Sequence, residues 1–206
     1  MDFLVMLGFI IAVNWLCLTL VWLISLKIKD VGIVDIYWGI GFVIMAWACL
    51  LFNLQGNTSA ISQSQWLINI MVTLWGLRLS FHLAARNLGK EEDYRYAAMR
   101  KKSAGDFRIQ SYFRVFMLQG FLQILIIFPV LAIHLYPSAF GLSIFHYFGI
   151  ALWAIGFVYE TAADIQLVNF RSDPSNHNKV LNSGLWRFSR HPNYFGDALQ
   201  WFAFFI

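Results

Sequence analysis

Apolar residues run through this 206-residue chain in long blocks separated by short polar stretches. A membrane-crossing helix needs about 20 mainly apolar residues to cover a hydrocarbon layer of ~30 Å. Five blocks reach that length: Phe3 to Leu26, Ile33 to Leu54, Trp66 to Ala85, Val115 to Tyr136, and Leu142 to about Tyr159. A sixth begins near Tyr194 and stops at Ile206, roughly a dozen residues, too few for a crossing by the same rule. The pattern predicts an all-α fold: a polytopic integral membrane helical bundle of five complete spans plus a truncated sixth. Residues 1–206 then form a single membrane domain expected to lack its C-terminal segment. The first block has no basic region before it and no obvious small-residue cleavage site, so it is read as a retained helix rather than a signal peptide.

Composition sharpens this picture. Hydrophobic residues make up 59% of the chain, charged ones 13% and aromatic ones 18%, far from the balance of a soluble domain. No linker, low-complexity tract or internal repeat divides it. Cys17 and Cys49 lie inside apolar blocks without metal-ligand or Cys-x-x-Cys spacing, so neither a zinc site nor a disulfide framework is implied.

The net charge of +4 is unevenly placed. Lys27 and Lys29 fall in the first loop. Arg86, Lys90, Arg95, Arg100, Lys101, Lys102, Arg108 and Arg114 fall in or beside the third, and Arg171, Lys179, Arg187 and Arg190 in the fifth. The second and fourth loops have no Lys or Arg. Basic loops favour the cytoplasmic side, so loops one, three and five are expected in the cytoplasm and the N-terminus outside, in a bacterial inner membrane or the endoplasmic reticulum. The run Met99 to Ser103 then serves topology and attraction to anionic headgroups. No reader motif accompanies the charge, which argues against nucleic acid as a partner. Asn57 to Ser59 has the form of a glycosylation sequon, meaningful only in a eukaryotic host.

Ionisable residues retained inside spans are functional candidates, because a charge at mid-bilayer costs ~3 kcal/mol or more. Asp35 opens the second span with Trp38, Gly39 and Phe42 on its helical face; it is either an interfacial cap or a functional acid. Arg78 and His82 are four apart on the third span, beside Trp75, with Asp35 or Glu160 as possible partners of Arg78. Glu160 and Asp164 share a face at the expected end of the fifth span. Like charges there repel and oppose the helix dipole, so Arg171, Arg187, Arg190 or a ligand is expected to compensate them. Gln119 and Gln123 read as interhelical hydrogen-bonding groups, Pro129 as a kink, and His134 and His146 as surface residues near the outer interface.

The stretch "SRHPNYFG" places Pro192 where a last helix would start. Arg190, His191 and Asn193 then surround a helix N-terminus, whose free N–H groups and positive dipole end favour anions. With Arg171, Lys179 and Arg187 in the same loop, the site suits phosphate, including the extra phosphate of a phosphorylated dinucleotide. "GIG" at Gly39 to Gly41 lacks the third glycine of a Rossmann fingerprint and lies inside a span.

Through "VDIYWGIGF", "LWGLRLSFHLAARN", "EEDYRYAAMR", "YETAADIQLVNFR" and "GLWRFSRHPNYFGD" the chain resembles the steroid 5-alpha-reductase superfamily, in its branch of multi-span proteins of unassigned substrate. The Arg-His-Pro-x-Tyr core is more distantly similar to isoprenylcysteine methyltransferases. The resemblance implies an all-helical membrane enzyme with NADPH, NADP(H) being the expected cofactor, in the cytoplasmic half. It places Asp164, Arg171, Asn193 and Asp197 at cofactor-holding positions, with Arg190, His191 and Tyr194 completing the motif. Glu160 stands where the steroid enzymes have a cofactor-contacting amide. Asp35 and Trp75 fall near a substrate-binding acid and tyrosine, although a tryptophan has no phenolic proton to give.

Two enzymatic readings and one bland one follow. The first is an NADPH-dependent reductase that saturates a carbonyl-conjugated C=C bond in a sterol-like or polyprenoid lipid, drawing this apolar substrate from the bilayer. Asp35, or else Arg78 or His82, would polarise the carbonyl oxygen. Glu160, Asp164, Arg171, Arg190, His191, Asn193, Tyr194 and Asp197 would hold the cofactor. The second is an S-adenosylmethionine-dependent membrane methyltransferase, for which the loop's cations would have no phosphate to meet. The third is a non-catalytic membrane protein whose buried charges only join helices. No obligatory protein partner is evident.

Overall fold

The computed structural model describes residues 2–55, 61–138 and 141–206, and the described residues are helices and their connections, with no strand among them. The sequon at Asn57 to Ser59 lies outside them. The chain divides into two compact units, Met1–Ala139 and Phe140–Ile206.

In the first unit, α1 (Phe3–Ile28), α2 (Ile33–Gln55) and α3 (Gln63–Asn87) are long apolar helices with clear local start signals. Asp2 accepts from the Leu4 N–H at 2.9 Å, and Ser62 and Gln65 form a capping box, each satisfying an amide that the first helical turn leaves without a partner. α4 (Tyr94–Lys102) is a short polar helix capped by Asp93. The fourth span starts at Phe107, earlier than the hydropathy suggests, and is built in pieces. These are α5 (Phe107–Ser111), a π-helical stretch Tyr112–Met117, α6 (Leu118–Ile126) and α7 (Phe128–Leu135). The break at Ile127 falls two residues before Pro129, whose missing N–H and ring interrupt the helical ladder as expected of a kink.

α2 is the central helix of this unit. It crosses α3 where Gly39 and Gly76 meet backbone to backbone: a Cβ on Gly76 would lie 2.6 Å from the Gly39 carbonyl oxygen. Phe42 and Trp75, both fully buried, stack edge-to-face beside the crossing at 5.5 Å. Gln123 donates to the Trp38 carbonyl at 3.0 Å, and Asn14 to that of Gly120 at 3.1 Å, so the polar side chains of the spans join helices. A cluster of Leu18, Val31, Val34, Tyr37, Tyr96, Val115 and Phe116 ties α4 to α1, α2 and the π-helical stretch.

One expectation fails in this unit. His134 is 2% exposed, not a surface residue. Its Nε2 lies 3.0 Å from Asn69 Oδ1 and its Nδ1 3.3 Å from Asn53 Nδ2, while Asn53 and Gln65 both donate to its carbonyl oxygen. An amide oxygen on one ring nitrogen and an amide N–H on the other select the neutral Nε2–H tautomer. Hydropathy misses this, because an isolated histidine in an apolar run looks the same whether it faces out or in. His146, by contrast, is half-buried and caps its own helix through Ser143.

In the second unit, α8 (Ile144–Ser172) is followed by two short 3-10 turns, Pro174–Asn176 and Gly184–Arg187, and by α9 (Pro192–Ala203). α8 continues well past Tyr159, so Glu160 and Asp164 lie in mid-helix instead of at its C-terminus. The dipole argument against them therefore lapses, since that effect is confined to the terminal turn. α9 runs antiparallel to α8, with Gly149 against Ala203 at one end and Asp164 against Asn193 at the other. Five described helical stretches are long and apolar enough to cross a membrane: α1, α2, α3, Phe107–Ile126 and α8. The protein is a multi-pass, all-α membrane bundle.

Candidate functional site

The second unit contains a ladder of buried polar groups and a basic cavity. Glu160 is 4% and Asp164 6% exposed, one turn apart on the face of α8 that meets α9. Gln200 Nε2 donates to Glu160 Oε2 at 2.8 Å, and Asn193 Nδ2 donates to Asp164 Oδ1 at 3.1 Å. Carboxamides from α9 thus engage both acids within this unit. The carbonyl oxygens of the same two amides, Asn193 Oδ1 and Gln200 Oε1, are buried with no hydrogen-bond donor. Between the two rungs the helices touch at glycine, with a Cβ on Gly196 falling 2.7 Å from the Gly156 carbonyl oxygen.

Past α8 the chain folds back over a cavity of about 850 Å³, lined among others by Phe170, Arg171, Lys179, Trp186, Arg190 and His191. Its walls are fixed by local bonds. Asn176 Nδ2 donates to the Phe170 carbonyl at 3.0 Å, the Leu185 N–H to Gln166 Oε1 at 2.9 Å, and Trp186 Nε1 to the Ala163 carbonyl at 3.0 Å. Gly184, at φ 57°, turns the chain in the left-handed region beside Gln166. α9 starts at Pro192, so Arg190 and His191 stand at its N-terminus as expected. His191 also stacks on Tyr194, ring centroids 5.1 Å apart.

Of the residues expected at a cofactor site, Arg171, Arg190 and His191 line the cavity, and Glu160, Asp164 and Asn193 form the ladder. Tyr194 is 66% exposed and, like half-buried Asp197, does not line the cavity. Sequence reasoning missed Gln166, Asn176, Trp186 and Gln200. Only Gln200 left a trace, as a polar residue in an apolar closing run, seven positions beyond Asn193 and hence on its helical face.

The first unit holds a second polar cluster, where Asp35 meets helix α4. Arg95 Nη2 lies 2.9 Å from Asp35 Oδ2, Tyr96 Oη donates to Oδ1 at 2.8 Å, and Gln119 Nε2 lies 3.4 Å from both Asp35 Oδ1 and Tyr96 Oη. Tyr96 is 6% exposed; burial first, and then the adjacent Asp35 charge, push its phenol up and keep its proton in place. The hydrogen bond to Asp93, ahead of the charges of Asp35 and Asp93, pushes Arg95 up. Glu92 accepts from the Val31 N–H at 3.0 Å and from Arg100 at 2.7 Å, pinning the turn between α1 and α2 to the loop. Burial raises its carboxyl, but those hydrogen bonds and the Arg100 charge outweigh it and leave Glu92 below the ordinary value. Arg78 and His82 lie one turn apart on α3, both half-buried.

Over 207 aligned residues, 90% of this chain, the protein is 24% identical to an uncharacterized protein of Schizosaccharomyces pombe, of whose length the match covers 59%. A very-long-chain enoyl-CoA reductase of Dictyostelium discoideum is 38% identical over 60 residues, 29% of this chain and 20% of that protein. No solved structure matches the chain. Residues 21–206 match the family described as protein of unknown function (DUF1295), and the chain belongs to that steroid 5-alpha-reductase-like family.

Proposed function

We propose that the protein is an NADPH-dependent membrane reductase that saturates a C=C bond conjugated to a carbonyl group in a sterol-like or polyprenoid lipid. The basic cavity over the start of α9 carries this reading. Arg171, Lys179 and Arg190 surround a space within the size range of small-molecule pockets, and the first N–H groups of α9 add a fixed positive end. These donors fit a coenzyme with a pyrophosphate and a further ribose phosphate. The partnerless oxygens of Asn193 and Gln200 fit N–H donors such as those of a carboxamide.

NADPH, when bound, supplies a hydride to the carbon β to the carbonyl. The chain's own part is to bind, orient and polarise. Arg171, Lys179 and Arg190 take up phosphate charge, while Glu160 and Asp164 fix the amide groups of Gln200 and Asn193. Taken by itself, the first unit offers Tyr96 as a group that can polarise a carbonyl. Asp35 accepts from Arg95 and Tyr96, whereas the Tyr96 phenol retains its hydrogen and can present it to a carbonyl oxygen that is gaining charge. Arg78 and His82 remain the alternatives on α3. The similarity to an enoyl-CoA reductase supports the reaction class, since a 2-enoyl thioester is itself a carbonyl-conjugated alkene. The concentration of Lys and Arg in alternate loops supports a cytoplasmic site with the N-terminus outside.

Equilibrium binding of NADPH, NADH and S-adenosylmethionine to the purified protein, with Arg171→Ala and Asn193→Ala, tests the proposal. NADPH binding that both substitutions abolish is the expected result. Preferential S-adenosylmethionine binding would assign a methyltransferase instead, and a folded protein that binds none of the three would leave only a structural role.

A further inference from the structure

The loop between α3 and the fourth span has more cations than its acids can use. Arg95 is committed to Asp35 and Asp93, Arg100 to Glu92 at 2.7 Å, and Arg108 to Asp106 at 2.8 Å. Those pairs occupy three of the four carboxylates between Arg86 and Arg114, Glu91 being the fourth. Among the described residues Lys101, Lys102 and Arg114 have no ion pair.

Two of these cations meet. Lys102 and Arg114 line a cavity of about 170 Å³ together with Ser103 and Gln110, and with Met99 and Phe107 as its apolar part. Phe107 is held by Arg100, whose guanidinium carbon lies 4.4 Å from the ring centroid. Arg114 sits in the π-helical stretch Tyr112–Met117, a distortion frequent at functional sites. The depth of the cavity is marked by neighbouring aromatics: Trp22 donates to the Arg108 carbonyl at 3.1 Å and packs on Tyr112 at 4.8 Å. Trp and Tyr of this kind settle at the headgroup level of a bilayer. Exposed Ile109 and Phe113 offer apolar surface at the same end of the span.

We propose that this cavity binds the phosphate of an anionic phospholipid from the surrounding leaflet, with Lys102 and Arg114 on the phosphate oxygens and Gln110 as a neutral donor. The site lies wholly within the first unit and does not depend on the reductase reading. Two uncommitted cations, an amide and an apolar flank suit a phosphate attached to hydrocarbon, and the position at the start of a span presents them to lipid.

The test uses the purified chain in phosphatidylcholine vesicles doped with phosphatidylglycerol, with native mass spectrometry counting the phosphatidylglycerol retained after gentle extraction. Each cation near an anionic surface contributes roughly fivefold in binding, so Lys102→Gln with Arg114→Gln should weaken retention about 20- to 30-fold. Lys27→Gln with Lys29→Gln, removing two exposed cations of the first loop that do not line the cavity, should leave retention at the site within about twofold of the parent. Equal losses in both pairs, or no loss in the first, would overturn the site. Displacement of the lipid by inorganic phosphate alone would assign the cavity to free phosphate and overturn the lipid reading. Should the double variant misfold, Arg114→Gln alone carries the test, with a roughly fivefold loss expected and an unchanged count refuting it.

Discussion

Replacing Gly196 by alanine probes the seam on which the candidate cofactor site is built. The added methyl carbon would lie 2.6 Å from the Glu160 nitrogen, 2.7 Å from the Gly156 carbonyl oxygen and 2.8 Å from Glu160 Cβ. All three atoms belong to the backbone of α8 or to the first side-chain atom on it, so no flexible end can swing aside. α9 must move away by several tenths of an ångström. Overpacking of this kind costs about 1–3 kcal/mol, and contacts with rigid backbone put the cost in the upper half, ~2–3 kcal/mol. In a chain of this size that corresponds to a melting point lower by roughly 4–12 °C. The same movement lengthens the Gln200–Glu160 bond of 2.8 Å and the Asn193–Asp164 bond of 3.1 Å, the latter already near the end of the useful range. NADPH affinity should therefore fall together with stability. Thermal denaturation in lipid nanodiscs, with and without NADPH, measures both. Gly8→Ala is the control: its Cβ would meet nothing within 4 Å, and the helix gains up to about 1 kcal/mol from the change. A Gly196→Ala protein that melts with the parent, or a Gly8→Ala protein that loses as much, would refute the close-packed seam.

Three further outcomes are expected. Tyr96→Phe removes a hydrogen bond to the Asp35 carboxylate worth about 1.5–3 kcal/mol, and under the proposed mechanism lowers kcat by at least ~100-fold; unchanged turnover would exclude the phenol as the polarising donor. Glu92 is held below the ordinary value of 4.5, so its contribution is complete above that value and is lost as pH falls through the lower folded one. Acidification below about 4.5 should therefore release the Val31 amide to hydrogen exchange, and Arg100→Gln should diminish that pH dependence. His134→Leu takes the ring from between Asn69 and Asn53 and should cost about 1–3 kcal/mol, read as a lower melting point; a surface role would leave stability unchanged.

The spans were legible because lipid imposes a length and a composition on any helix that crosses it, and the apolar blocks record that demand directly. Hydropathy marks where hydrocarbon lies, not where a helix stops. It therefore gave the start of α8 closely and missed its continuation to Ser172, and it began the fourth span at Val115 instead of Phe107. The role of Pro129 was readable because its effect is local and backbone-encoded. Partners across helices were not. The register of α8 on α9 brings Gln200 and Asn193 to Glu160 and Asp164, amide partners that charge alone does not announce. Asp35 is met by Arg95 and Tyr96 from a loop helix, which no pattern within α2 announces. Such pairings depend on crossing geometry set by Gly156 and Gly196, or by Gly39 and Gly76, and no periodicity in one helix contains that information about another.

The carboxamide ladder bears on why these polar groups are retained at all. If Gln200 and Asn193 served only to join α9 to α8, apolar residues of similar volume would serve the seam as well, since replacing buried polar pairs by hydrophobic ones is often neutral or stabilising. The arrangement present is more expensive: each amide directs its N–H to an acid and leaves its own oxygen buried without a donor, at a cost of about 1–3 kcal/mol per group. Asn14 and Gln123 in the first unit also leave amide oxygens buried without a donor, so what sets these two apart is their place on one face of the helix whose N-terminus adjoins the basic cavity. They are what a site needs if it must accept hydrogen bonds from a ligand and hold its acceptors rigid beforehand. On the proposed reading the acids are positioning groups, fixing each amide so that its oxygen, not its nitrogen, is the atom on offer.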